Sequence, residues 1–451
     1  MKEKWQEEYQ QKLTTADEAV KVIQSGNRVV YPPFVMRVPL LDGALAKRWD
    51  KLEDVVVIFA TLTYMPEVCK ADPKGKTFTF LDGSFSAATR QLKKAGIPVF
   101  CVPGLYHETT RGYNNGDKND DVLFLSVTPM DRNGYFRMGI ASSNQVALIR
   151  NKGGYKKDLK IIVEVNAKIP YIQGDNFIHI SEITHVVEEI ESVGLSPIPP
   201  IEASETERKI AEHIMSQMVD GACIQLGIGG LPNIVGKMIA DSDLKDLGCH
   251  TEMFVDAYVN MFNAGKLTNK RKQTHVGKSV FTFAMGSQDL YDFIDGNPAV
   301  ECLDVGYVNN PNVIAKNDRV FSICSCLAVD LFGNVSSESD GYRQISGTGG
   351  ALDYHYASYH SNGGRGFMCM PSTTTDKEGN LVSNVVINFK PGTQITVPGN
   401  MTNSVVTEYG IANLKQKNTW NKIEELIKIA HPDFREELMA KAEKEGIWKR
   451  S

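Results

Sequence analysis

The sequence predicts an α/β protein made of two related open α/β domains, each built on a mainly parallel sheet covered by helices. Strand-like apolar runs alternate with helical patterns along the chain, and this alternation is typical of parallel sheets. The pattern of the first half also recurs in the second half. The distance along the chain from Gly26 to Asp54 equals that from Gly221 to Cys249, as expected for two domains of related topology.

The first half begins with an amphipathic helix, for which Thr15 and Glu18 form a capping box and which we expect to end near Gly26. A strand, a proline-rich turn, a helix and another strand follow, and a further strand comes later. The predicted strands are NRVVY (27–31), DVVVIFA (54–60) and KIIVEVN (160–166), and the helix is LLDGALAKRW (40–49).

The second half repeats this order, with a capping box at Ser204 and Glu207 and a helix that ends at Gly221. The predicted strands are ACIQL (222–226), CHTEMFV (249–255), RVFSICSCLAVDL (319–331) and GFMCMPS (366–372), and the helix after the first strand runs through IVGKMIADS (234–242). Between the halves, the prolines of VGLSPIPPIEAS (193–204) disfavour helix. We therefore predict an N-terminal domain over 1–195, a linker over 196–204 and a C-terminal domain over 205–451.

The composition excludes several classes of protein. The formal net charge of -5 does not predict a nucleic-acid-binding protein, and no apolar run is long enough to span a membrane. The N-terminus lacks the apolar core of a signal peptide, and eight cysteines in 451 residues do not form a disulfide scaffold. We expect a cytoplasmic protein with reduced thiols and no metal site, because Cys324-Ser325-Cys326 has no second Cys/His pair near it.

Three glycine-rich segments are candidate ligand-binding loops. GIGGLPN (227–233) follows a strand and opens a helix, where free backbone N–H groups attract anions, but a tight structural turn explains it equally well. SGTGGALDY (346–354) and SNGGRGF (361–367) either clamp a long ligand or form surface turns. The basic run at 266–278 favours a solvated face, and the alternative is that Lys270, Arg271 or Lys272 meets a ligand phosphate.

Glu252 lies at the predicted end of a strand and just before a helical pattern, where parallel-sheet enzymes place active groups. It either points to the surface from an edge strand or is a desolvated nucleophile or base beside Met253 and Phe254. His250 shares its face if the segment is extended, and a structural role is favoured for it. The chain has no GxSxG motif, which argues against a Ser-His-Asp hydrolase.

In order, the segments GIGGLPN, HTEMFVD, SGTGGALDY, VVTEYGIANL and IAHPDFREEL resemble the acetyl-CoA hydrolase/transferase family of class I CoA-transferases. Within it, the pattern is most similar to butyryl-CoA:acetate and 4-hydroxybutyrate CoA-transferases, nearly end to end. The resemblance implies two α/β domains with the active site between them. It also implies a homodimer or a higher homo-oligomer.

The resemblance further implies a ping-pong transfer of CoA between a short-chain acyl-CoA and a small carboxylic acid such as acetate. Glu252 is then the nucleophile, and CoA is a substrate and a covalent intermediate rather than a permanently bound cofactor. The residues implied to bind CoA or to form the oxyanion hole are Gly227, Ile228, Gly229, Gly230, Leu231, Gly349 and Gly350. Possible contacts to a CoA phosphate or to substrate are Ser346, Asn362 and Arg365.

The chain departs from the family pattern at basic positions. Asn362 replaces a usual lysine, so that phosphate contact is either missing or taken by Arg365, and usual arginines are absent near Asn384 and Asn400. Cys324 replaces a usual asparagine. Because of these changes, the sequence does not identify the carboxylic acids that serve as substrates. Three alternatives also stay open at this point: an acyl-CoA hydrolase, a non-catalytic CoA-binding protein, and a sugar-phosphate isomerase on a related fold.

Overall fold

The computed structural model describes residues 2–152, 154, 158–189, 191–199, 201–227 and 229–449. The chain forms two compact units. The first contains Met1–Ile198 and Phe281–Tyr307, and the second contains Pro199–Val280 and Val308–Ser451. Both units are α/β structures with mainly parallel sheets, so the predicted fold class is confirmed.

The first unit is built on a seven-stranded sheet in which all neighbouring strands are parallel. The strand Val122–Val127, next to the central strand, is buried throughout, as expected when helices cover both faces. The strand order is Val99–Cys101, Phe78–Asp82, Val55–Phe59, Arg28–Val30, Val122–Val127, Lys160–Val165 and His185–Glu188. A small antiparallel pair is formed by Tyr135–Arg137 and Phe177–His179.

The helices of the first unit include Pro39–Ala46, which follows the first strand as predicted. The others are Lys2–Lys12, Ala16–Ala19, Glu67–Ala71, Ala87–Lys94, Glu108–Asn114, Gln145–Arg150 and Gln288–Ile294, with 3-10 turns at Val20–Val22 and Ile180–Glu182.

The second unit is built on a six-stranded sheet, parallel except for its last strand. The order is Gly248–Cys249, Cys223–Leu226, Val320–Ser325, Arg365–Cys369, Ser404–Thr407 and Gly410–Asn413. Its helices are Glu205–Met215, Gly230–Asp241, Asp256–Asn263, Pro311–Ile314, Ala351–His360, Thr419–Ile429 and Pro432–Lys444. One smaller sheet contains Val335–Ser336, Ala328–Asp330 and Val385–Val386. Another pairs Ser339–Asp340 with Arg343–Gln344, and a further one pairs Thr373–Thr375 with Leu381–Ser383.

The remaining elements are short. They are the strands Met253–Phe254, Ser279–Phe281, Phe283–Ala284 and Val300–Cys302, and the helix Val305–Val308. In the described part of the chain, every helix is too short or too polar to span a membrane.

Two features differ from the sequence-based expectations. The segment Phe281–Tyr307 packs in the first unit, whereas the predicted division placed all of 205–451 in one domain. Backbone bonding explains the difference, since Ala284 N–H donates to the carbonyl of Ile140 at 2.9 Å. The predicted strand CHTEMFV is also interrupted, because the chain bends at Glu252 between two short strands.

Candidate active site

Glu252 lies at the carboxyl edge of the second unit's sheet. It follows the edge strand Gly248–Cys249, which pairs in parallel with Cys223–Leu226. That register places Glu252 level with Gly227, the first residue of the GIGG turn. Thr251 Oγ1 reinforces the alignment by donating to the last carbonyl of the neighbouring strand at 3.4 Å. The structure therefore brings Glu252 and the start of this turn to one edge, where parallel sheets carry their sites.

The Glu252 carboxylate is held by groups far from it in the sequence. Asn309 Nδ2 donates to Oε2 at 2.6 Å, and the backbone N–H of Gly350 also bonds the carboxylate. Gly350 caps the helix Ala351–His360 at its N-terminus. A Cβ at Gly350 would lie 2.0 Å from Oε2, so only glycine permits this approach. At Gly349, which has a φ of +54°, a Cβ would lie 3.9 Å from Oε1.

The surroundings of Glu252 change its protonation. Although the residue is partly exposed, its carboxyl group lies among buried side chains, and this burial raises the pKa of Glu252 to about 7. The hydrogen bond from Asn309 lowers that pKa, and the negative charge of Asp353 raises it. A carboxylate that is ionised near neutral pH and poorly solvated is a competent nucleophile.

Asn309 is itself fixed by its neighbours. It is fully buried, and the carbonyl of the preceding residue, Val308, accepts hydrogen bonds from His250 Nε2 at 2.8 Å and from the Tyr354 hydroxyl at 3.2 Å. Sequence reasoning did not identify Asn309 or Tyr354. The segment VNNPN reads as a turn, and nothing local in it indicates a contact with a glutamate 57 positions earlier.

The GIGG turn is the second part of the site. Gly229 has a φ of +128° and begins the helix Gly230–Asp241, which confirms a strand-turn-helix arrangement. The backbone N–H of Leu231 is not available to a ligand, because Glu207 Oε1 accepts from it at 3.1 Å. The Leu231 N–H is therefore already bonded within the protein, and the contact of this turn with CoA stays a prediction. Ile228 lies outside the described residues, and a Cβ at Gly227 would meet no atom within 4 Å.

Asn362 and Arg365 do not lie at this edge. Arg365 begins the strand Arg365–Cys369, so it lies at the amino end, about 13 Å along the strand from the carboxyl end. Its Nη1 donates to Gln217 Oε1 at 2.6 Å, and the Asn362 carbonyl accepts from the backbone of Arg319. Asn362 and Arg365 therefore lie away from the Glu252 group, and their contact with a CoA phosphate or with substrate stays a prediction.

Ser346 stands at the start of the loop that reaches Glu252 through Gly349 and Gly350. Its backbone N–H donates to the Glu338 carbonyl at 3.0 Å, and its own carbonyl accepts from Gln344 Nε2 at 2.7 Å. The loop is thus anchored at Ser346 by backbone bonds.

The basic run has a structural role in the second unit. Lys272 is buried, and its Nζ donates to the Cys249 carbonyl at 2.8 Å, which supports the strand that precedes Glu252. Arg271 pairs with Asp246 at 3.2 Å, and Lys270 is exposed. The solvated-face interpretation fits Lys270, while Lys272 is a buried support.

The two apolar neighbours of Glu252 in the sequence, Met253 and Phe254, differ in exposure. Phe254 is fully buried and stacks on Tyr258 with ring centroids 5.1 Å apart, whereas Met253 is partly exposed. Burial raises the pKa of Cys324 to about 12, so its thiol is not a nucleophile at neutral pH. Among the described residues, no three His, Cys, Asp or Glu side chains are grouped to hold a metal ion.

The chain is similar to known proteins over most of its length. Residues 1–197 match the acetyl-CoA hydrolase/transferase N-terminal domain, and residues 286–442 match the acetyl-CoA hydrolase/transferase C-terminal domain. The chain is 43% identical to the probable butyrate:acetyl-CoA coenzyme A-transferase of Syntrophomonas wolfei, over 100% of this chain and 99% of that protein. It is 40% identical to the butyryl-CoA:acetate CoA-transferase of Anaerostipes caccae, over 99% of each.

A solved structure is similar over the same length. The crystal structure of RipA from Yersinia pestis is 33% identical to this chain, with a TM-score of 0.87, and the match covers 98% of this chain and 99% of that one. The likeness therefore extends over both units rather than over one of them.

Proposed function

Because the chain belongs to the acetyl-CoA hydrolase/transferase family, as its motifs predicted, we propose that it moves CoA between a short-chain acyl-CoA, such as butyryl-CoA, and a carboxylic acid such as acetate. The chain is an enzyme of the CoA-transferase type. One observation supports the mechanism above all. Glu252 presents a carboxylate of raised pKa at the edge of a parallel sheet, between Asn309 and Gly350.

The proposed reaction begins when Oε1 of Glu252 attacks the thioester carbonyl of the acyl-CoA. The C–S bond breaks, and the products are a mixed anhydride of Glu252 and a free CoA thiolate. The thiolate then attacks Cδ of Glu252 and releases the first acid as a carboxylate, which takes Oε1 with it. Glu252 is left as a CoA thioester, and the second acid reverses these steps. Each step exchanges one acyl bond for another, so no ATP is needed.

Asn309 suits the second step. Its Nδ2 already donates to Oε2, which is the oxygen that becomes negative when the thiolate adds to Cδ. Gly350 supplies a backbone N–H to the same carboxylate from a helix N-terminus, which favours negative charge. One preorganised donor of this kind typically lowers the barrier by about 3 kcal/mol. In this proposal, Gly227, Gly229 and Gly230 let CoA approach the neighbouring turn closely.

Acyl-CoA hydrolysis with water as the acceptor is the alternative outcome at the same glutamate. The anhydride and the thioester both react with water, so transfer requires that water is kept away from Cδ. In this proposal Phe254, a fully buried residue two positions after Glu252, helps to keep water out. We also propose that the enzyme acts as a cytoplasmic homo-oligomer with no permanently bound cofactor.

Mass spectrometry of the intermediate tests the proposal. After incubation with butyryl-CoA and no acceptor acid, the protein should carry CoA as a thioester on Glu252, and borohydride reduction followed by peptide mapping should locate it. Glu252→Gln should carry no adduct. Addition of acetate should release acetyl-CoA from the labelled enzyme. A label on another residue contradicts the mechanism, and free CoA released without any dependence on acetate indicates a hydrolase.

A further inference from the structure

We propose that His250 is a positioning residue for Glu252, which it orients through the backbone carbonyl of Val308 and the side chain of Asn309. This inference rests on the proposed function, because it concerns the nucleophile of that reaction. His250 belongs to the same HTEM segment as Glu252 and comes two residues before it in the chain.

The contacts form one continuous path. His250 Nε2 donates to the Val308 carbonyl at 2.8 Å, and the Tyr354 hydroxyl donates to the same oxygen at 3.2 Å. The next residue, Asn309, donates from Nδ2 to Oε2 of Glu252 at 2.6 Å. Two donors on one carbonyl fix the peptide group that carries Asn309. Loss of the shorter bond therefore releases the amide that holds the nucleophile.

Apolar packing alone does not account for His250. The side chain is 1% exposed, and its Nδ1 is buried without a hydrogen-bond partner among the described residues. A buried polar atom without a partner costs free energy that an apolar side chain of similar size would avoid. The imidazole is therefore a poor choice for core packing alone. Its bond to Val308 gives it a specific purpose.

The protonation state of the His250 ring, whose Nε2 is the donor to Val308, does not change across the pH range of catalysis. Burial, together with the neighbouring charges of Lys272 and His275 and against the hydrogen bond to Val308, lowers the pKa of His250 to about 3, so the ring is neutral. The titratable groups that face Glu252 are Asp353, Cys324 and Tyr354. Because the Asn309 hydrogen bond lowers the pKa of Glu252, a displaced Asn309 leaves that pKa higher.

The test follows the rate at which butyryl-CoA forms the Glu252 thioester in single turnovers, across the pH range, in His250→Leu and His250→Gln. His250→Leu should react about tenfold more slowly, since one neutral hydrogen bond corresponds to about 1.4 kcal/mol. The acid limb of its pH–rate profile, where the rate falls as Glu252 becomes protonated, should move to higher pH by about half a unit. His250→Gln should recover most of the rate, because its amide nitrogen stands as many bonds from Cβ as Nε2 does.

His355 provides a matched control in the same unit. It is also fully buried with an unpartnered Nδ1, its pKa is also lowered to about 3, and its Nε2 accepts from the Asn403 backbone at 2.8 Å. His355→Leu should lower the melting temperature but leave the rate and the acid limb unchanged. Equal behaviour of His355→Leu and His250→Leu, or no recovery in His250→Gln, overturns the inference.

Two further results separate the possible failures. If His250→Leu does not fold, His250→Met serves as the variant without a donor to the Val308 carbonyl, and a wild-type rate and acid limb in that variant also overturn the inference. Failure of the proposed function looks different, because the wild-type protein would then form no thioester on Glu252 at all.

Discussion

Each unit carries a glutamate whose carboxyl group is desolvated at a parallel sheet, but different groups hold the two carboxyl groups. In the first unit, Glu164 is 1% exposed, and its two oxygens accept the backbone N–H groups of Leu40 and Leu41 at 3.3 and 3.0 Å. In the second unit, Glu252 is partly exposed and is held by a side-chain amide and by a glycine backbone.

The comparison shows that a raised pKa does not by itself identify a nucleophile. Burial raises the pKa of Glu164 to about 8 and that of Glu252 to about 7. Glu164 uses both oxygens to cap the helix Pro39–Ala46 and so belongs to the structure of its unit. Glu252 instead places its carboxylate against two glycines, in space that a side chain at Gly350 would fill. Bonding and space distinguish the two roles.

The largest expected effect comes from neutralising each glutamate in turn. Glu252→Gln should lower transfer from butyryl-CoA to acetate by at least about 10⁴-fold, because removal of a covalent nucleophile abolishes the main pathway. Glu164→Gln should retain transfer within a few-fold. Steady-state assays, with circular dichroism to verify folding, measure both. Comparable losses in the two variants would break the distinction between the units.

The next effect concerns the space beside Glu252. Gly350→Ala should lower kcat about hundredfold, since its Cβ would occupy the position of Oε2 and push the carboxylate away from Asn309. The structure thus predicts a loss in kcat in addition to weaker binding of acyl-CoA. Gly43→Ala, in the helix of the first unit where a Cβ meets no atom within 4 Å, is the matched control and should keep full activity.

The pH dependence separates the two carboxyl groups by what each one affects. For Glu252, kcat/KM with butyryl-CoA should fall tenfold per unit below about pH 7, because only the ionised form attacks. Glu164 should affect stability instead. Its pKa is higher in the folded than in the unfolded state, so its contribution is complete at low pH and is lost as pH rises toward about 8.

Urea unfolding measures the stability effect. Between about pH 6 and about pH 8.5, the free energy of unfolding should fall by about 2 kcal/mol through Glu164, and Glu164→Gln should remove most of that fall. Glu252→Gln should remove the part of the fall that lies below pH 7. A wild-type curve that rises over this range would contradict the assignment of a neutral, protonated Glu164.

Local patterns predicted the strands, the fold class and the place of Glu252 at a sheet edge. They did not predict Asn309, because its contact with Glu252 depends on how the chain returns after 57 residues. For the same reason, no local signal showed that the segment Phe281–Tyr307 joins the first unit. Arg365 is different. Its predicted strand began directly after it, so strand direction already indicated the amino end of the sheet.

The smallest expected effect concerns which carboxylic acid exchanges CoA with Glu252. Arg365 donates to Gln217 at the amino end of its strand, and the side chain that donates to Glu252 among the described residues is the neutral amide of Asn309. A site without a guanidinium fork does not select a second carboxylate. The enzyme should therefore prefer acetate, propionate and butyrate to succinate.

The same site should also select by chain length. For each CH₂ that fits the pocket, kcat/KM should rise about fourfold, which corresponds to about 0.8 kcal/mol, and it should drop once the pocket is full. Acyl-CoA donors of two to six carbons, compared with succinyl-CoA, measure this series. If succinyl-CoA proved the best donor, the lack of a guanidinium fork beside Glu252 would not decide which acid the enzyme uses.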